Sequence, residues 1–163
     1  MQQLALRLLK NAAEELDCCH ALLDVLQKQR EALLTRDAPS VLRTSREAES
    51  ILRSLERIAA ARDSIEAQAF TVSAERSMST DVLMDFLPEP EQKRWRRLIR
   101  EIAATARRVQ AANQFNQQLV MDAIAYRDLL LRLLSGQTED DAYPVSRPRD
   151  RRAPISAFLN QSA

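Results

Sequence analysis

Cys18, Cys19 and His20 stand side by side and are the only cysteines and the only histidine of the chain. These residue types bind soft metals and carry nucleophilic chemistry. Consecutive residues on a helix point about 100° apart, so the three cannot converge on one ion. Cys19 falls on an apolar stripe, where a free thiol packs as a small hydrophobe. The single glycine, Gly136, leaves no glycine-rich phosphate loop, and no nucleophile has a recognisable base. No enzyme, metal centre or cofactor is expected.

A second cluster is basic. Lys93, Arg94, Arg96, Arg97, Arg100, Arg107 and Arg108 crowd one stretch, but Glu89, Glu91 and Glu101 accompany them and Trp95 is the one aromatic there. Single-strand binding needs interleaved aromatics, and the whole chain holds 24 basic against 23 acidic residues. No global field attracts nucleic acid or an anionic membrane. A solvated helix face accounts for the run.

Asn113 and Asn116 are more telling. They sit in a stretch from Pro90 to Ser135 that has no glycine and no proline after its first residue, roughly 65–70 Å if helical. Trp95, Ile102, Val109, Asn116, Ala123 and Leu130 recur every seven residues. Ile99, Ala106, Asn113, Val120, Arg127 and Leu134 form the expected companion series of a coiled-coil seam. An amide in a seam costs free energy unless hydrogen-bonded. Either the pair is a polar layer that sets register, or this part of the seam faces a client helix or solvent.

Such a helix needs partners, and the rest of the chain supplies them. Residues 3–35 carry a three–four stripe at Leu9, Ala12, Leu16, Cys19, Leu23, Leu26 and Leu33, widened by Leu4, Leu8 and Leu22, so this helix is expected to touch more than one neighbour. Asp37 and Pro39 suit a break and a restart. A second helix over 38–69 has Ala48, Ile51, Leu55, Ile58, Ile65 and Ala69 in its seam, interrupted by Arg62. A connection this short folds it back antiparallel. From Phe70 to Glu89 the period decays into a connector with one short helix, about 80–87, which places Val82, Leu83, Phe86 and Leu87 on one side. The N-terminus lacks the continuous apolar core of a signal peptide, since Arg7 and Lys10 interrupt it, and no window is apolar enough to span a bilayer. The expectation is an all-α, elongated antiparallel bundle of three long helices over 1–135 in a soluble cytoplasmic protein.

Beyond Gly136 the composition shifts to alternating acidic and basic clusters and three of the six prolines. Residues 136–163 read as a flexible tail, with Ile155, Phe158 and Leu159 as a short amphipathic anchor near its end.

The leucine-rich first helix, central hairpin, Trp near the start of a long last helix and Asn-x-x-Asn within it resemble the flagellar export chaperones of the FlgN type. A tyrosine after that helix and a tail such as RRAPISAFLNQSA extend the resemblance over nearly the whole length. It implies a non-enzymatic cytoplasmic chaperone for the C-terminal helical segments of the hook-filament junction proteins FlgK and FlgL, delivered to the type III export gate. It also implies gate docking through Tyr143, although Tyr143 is followed by Pro-Val-Ser-Arg where the family has a glycine. A helix-in-groove contact through the last helix would use Asn113, Asn116, Leu119, Val120, Ile124 and Leu131. The competing class is a structural coiled-coil scaffold closed by self-association, and a homo-oligomer is possible when the chain is free.

Overall fold

The computed structural model describes residues 1–73 and 80–135. Within them lie four helices, α1 (Gln2–Leu34), α2 (Ala38–Ser73), α3 (Thr80–Met84) and α4 (Glu89–Leu134), and no strand. The class is all-α. Helix α2 continues through Phe70 to Ser73, past the expected decay of its period. The middle of the connector, residues 74–79, and the tail residues Tyr143, Ile155, Phe158 and Leu159 lie outside the described residues. The chain divides into two units, Met1–Ala125 and Tyr126–Ala163.

Helix α1 is central to the first unit because it carries two adjacent heptad stripes. Leu8, Asn11, Glu15, Leu22, Val25 and Gln29 form the stripe that meets α2. The Asn11 amide donates to the Ile58 carbonyl at 2.9 Å, Gln29 donates to Ser45 Oγ at 3.0 Å, and Arg62 lies 3.1 Å from Glu15. Early residues of α1 thus meet late residues of α2, so the two helices run antiparallel. Arg62, the break in the α2 seam, keeps Glu15 ionically paired between helices rather than wasting a core position. The Glu15 oxygen nearest Arg62 is buried without an aligned hydrogen bond, so proximity rather than geometry holds the pair.

The second stripe of α1, Leu9, Ala12, Leu16, Cys19, Leu23 and Leu26, is buried throughout and meets α4. His20 contacts Thr105 at 3.4 Å, Asn116 donates to the Leu26 carbonyl at 2.9 Å, and the Arg30 guanidinium stands 4.0 Å from the Phe115 ring centroid. Numbers rise together on both helices, so α1 and α4 run in the same direction. The apolar core gathers where all four helices contribute, with Leu8, Leu9 and Leu16 of α1, Ile65 and Ala69 of α2, Leu83 and Met84 of α3, and Trp95 and Leu98 of α4. Each such leucine contributes about 1.5–3 kcal/mol by leaving water.

The hairpin between α1 and α2 is closed by backbone geometry. Arg36 adopts φ 57°, while Asp37 N–H bonds the Ala32 carbonyl at 2.9 Å and Arg36 N–H the Leu33 carbonyl at 3.2 Å. These are the paired bonds of a Schellman ending, which usually takes glycine at the left-handed position. Arginine there carries a steric cost of about 1–2 kcal/mol. Asp37 then caps α2 by accepting from Ser40 N–H at 3.1 Å. Hydrogen bonds from Ser40 hold the Asp37 carboxyl below its usual range.

The companion series of the α4 seam is corrected by one residue. The buried positions are Trp95, Leu98, Thr105 and Asn116, with half-buried Ile102, Val109, Ala112 and Leu119 completing an alternation of three and four. The series beginning at Trp95 holds as far as Asn116. Its companion starts at Leu98 rather than Ile99, so Ile99, Ala106 and Asn113 flank the seam, and Val120, Arg127 and Leu134 are exposed. Three or four residues after a seam position are equally allowed by helix geometry. Which of them turns inward depends on where α1 stands.

Candidate functional site

Exposed large apolar side chains occur singly on α2, at Leu42, Leu52 and Phe70, whereas among the described residues of the first unit they group at the end of α4, where the site is sought. Asn116 is 3% exposed. Its amide nitrogen donates to the Leu26 carbonyl at 2.9 Å and to Gln29 Oε1 at 3.0 Å. Gln29 passes the connection to Ser45 Oγ at 3.0 Å, and Ser45 bonds the Val41 carbonyl at 2.9 Å. One amide thereby ties three helices at a fixed level, and Asn116 faces α1 rather than solvent. Its Oδ1 is buried with no hydrogen-bond partner among the described residues. Asn113 is half-buried beside the seam, and Leu119 is half-buried within it.

Beyond Leu119 the environment changes. Leu34, the last residue of α1, lies about one and a half turns past Gln29, so α1 reaches the level of Val120 to Asp122 and no further. Every residue from Val120 to Ala125 is exposed. Val120 is 39% exposed, Met121 62% and Ile124 41%. Together with Phe115 they place large apolar side chains in water along the end of α4 in the first unit. Val120 and Ile124 stand one turn apart on the same face, the spacing that helix-in-groove contacts use. Met121 was not singled out by the heptad reading because it lies off both series.

The second unit's described part, Tyr126–Ser135, is also rich in exposed leucine. Leu129, Leu130, Leu131, Leu133 and Leu134 are all exposed, Leu131 by 57%. Arg127 pairs with Asp128 at 2.7 Å.

The basic run of α4 is a solvated face, as its spacing suggests. Lys93 meets Glu89 at 2.7 Å and Arg97 meets Glu101 at 2.8 Å, each one turn apart. Exposed pairs of this kind add little to stability, because water screens them. Cys19 is buried on the α4-facing stripe of α1, and burial, with Glu15 and Cys18 adding to it, pushes its thiol up to about 11. A thiol kept protonated by burial packs as an apolar group and is a poor nucleophile while covered.

A helical unit with exposed apolar side chains at the end of α4 has an outside correlate. The FlgN family, described as FlgN protein, matches residues 1–144. The chain belongs to the FlgN family. Comparison with curated proteins gives no match, and comparison with solved structures gives none either. FlgN proteins are chaperones of flagellum biogenesis and type III export, and the family is not one of enzymes. No helix among the described residues is long and apolar enough to cross a membrane.

Proposed function

We propose that this FlgN-family chain is a cytoplasmic chaperone that binds the C-terminal helical segments of the hook-associated proteins FlgK and FlgL, keeps them from aggregating and delivers them to the flagellar export gate. In this reading α1, α2 and α4 make an antiparallel up-down-up bundle, and the end of α4 is the client face. The observation that carries the reading is the grouped exposure of Val120, Met121 and Ile124 at the end of α4 in the first unit. Large apolar side chains grouped on a surface mark a contact site, and an amphipathic client helix would cover them. Leu119 borders that face from the seam, and Asn113 offers a half-buried amide at its edge. Asn116 supports the face indirectly by fixing α4 against α1. In the second unit, Leu131 is proposed on its own as a further client contact. Tyr143 is proposed to dock on the export gate, with Ile155, Phe158 and Leu159 as a tail anchor.

The test is calorimetric titration of the purified chain with FlgK and FlgL, alongside sedimentation of the free protein. A defined complex that dissociates any oligomer of the free chain supports the chaperone. A stable homo-oligomer that ignores both clients refutes it in favour of a self-closing scaffold.

A further inference from the structure

The contact between α1 and α4 changes character along its length. At the start of α4, Trp95 and Leu98 belong to the buried core, and Ile102 packs against it. From Thr105 onward α4 presents a hydroxyl, a valine, an alanine and an amide at successive seam positions. Helix α1 makes no matching change. Its facing stripe continues with Leu23 and Leu26, both buried, and Leu26 lies at the level of Asn116. A leucine-lined wall is thus covered at three of five seam positions by small or polar side chains, Thr105, Ala112 and Asn116, with Val109 and Leu119 between and beyond them.

The cover is also imperfectly satisfied. Asn116 donates both of its hydrogen bonds to α1, but its Oδ1 is buried without a partner among the described residues. A buried acceptor left unpaired forfeits the hydration it had in water. Leucine at that position would fill the same level without a polar atom. The amide instead holds α4 by a chain of hydrogen bonds through Gln29 to Ser45, a closure that specifies one register yet offers little apolar area to resist separation.

We infer that the stretch of α4 from Thr105 to Leu119 is a displaceable cover, and that the α1 wall beneath it, around Leu23 and Leu26, is a second seat for an amphipathic client helix with leucine-sized residues at heptad spacing. The inference rests on the client-binding reading above and extends it from the exposed end of α4 to the groove between α1 and α4. An arriving helix replaces an alanine and an asparagine with larger apolar groups against the same leucines. The gain in buried apolar area drives the exchange, and release of the client lets the amide network close again. An exposed seat of this kind would invite aggregation, and the cover hides it between clients.

Cys19 supplies a built-in reporter. It lies on the α4-facing stripe and is buried, next to the His20 contact with Thr105. The full chain carrying Cys18→Ser has one thiol, and its rate of reaction with an aromatic disulfide reagent reads how often α4 leaves α1. Asn116→Leu is expected to slow that reaction about tenfold and to weaken binding of a synthetic FlgK C-terminal helix by a similar factor. Ile65→Val, in the core at the other end of the bundle, lowers global stability and is expected to leave the Cys19 rate unchanged.

Equal Cys19 rates in Asn116→Leu and its parent would overturn the inference. So would a Cys19 rate that rises with Ile65→Val as much as global unfolding does, because the thiol would then be exposed only by unfolding. If Asn116→Leu slows labelling but the FlgK helix binds both proteins equally, the α1 wall is not a seat, while the client face on α4 stands. If the helix does not bind even the parent, the client reading fails and takes the second seat with it.

Discussion

Replacing Val120 with Glu and Ile124 with Lys tests the client face with little collateral damage. The pair leaves net charge unchanged and places Glu four residues before Lys, the favourable order on a helix, worth about 0.2–0.5 kcal/mol. Both native side chains are roughly two-fifths exposed, at 39% and 41%. Fully burying such a side chain is worth about 1.5–3 kcal/mol, so covering the exposed part contributes about 0.6–1.2 kcal/mol for each. Loss of both, with two charges now facing an apolar client, removes at least about 2 kcal/mol, or a factor of about 30 in affinity. Folding stability should move by no more than about 0.5 kcal/mol, as for other exposed positions. Titration calorimetry with FlgK and a circular dichroism melt read the two quantities side by side. Affinity within twofold of the parent, at unchanged helicity, would refute the assignment of the end of α4 as the client face. Leu119 is a poorer choice for this test because it belongs to the seam, where a charge would disturb α1 as well.

Trp95→Ala and Leu8→Ala remove core side chains buried where four helices meet; each should cost about 2–5 kcal/mol in denaturant unfolding, against less than 1 kcal/mol for Met121→Ala. The Cys19 thiol, raised to about 11 from 9.0, keeps its proton in the folded chain while the unfolded chain loses it. Its contribution is therefore fully present below pH 9 and is lost as pH climbs from 9 to 11. Denaturant midpoints at pH 8 and pH 10.5 should fall further apart for the parent than for Cys19→Ala. Tyr143→Ala is expected to leave FlgK affinity within about 1 kcal/mol while reducing secreted FlgK in cells that carry the variant; normal secretion would remove the docking role.

The helices themselves were legible from local pattern. Low glycine, a three–four stripe in 3–35 and the unbroken run after Pro90 are properties of single segments, and they specify α1 and the length of α4 without reference to anything distant. The short turn at 36–37 likewise dictates an antiparallel hairpin, since chain connectivity leaves no alternative. The level at which α4 stands beside α1 is a different kind of quantity. Residues 98 and 99 are equally good companions of Trp95 on an isolated helix, and only the position of α1 selected Leu98, Thr105 and Leu119 over Ile99, Ala106 and Val120. That one-residue choice kept Asn116 in the seam against Leu26 and Gln29 but left Asn113 at its edge. It also put Val120 outside the seam, while the end of α1 leaves Met121 uncovered. Heptad spacing identifies a face that wants a partner, but which of two adjacent faces is already covered depends on contacts some ninety residues away in the chain, and those are decided by packing.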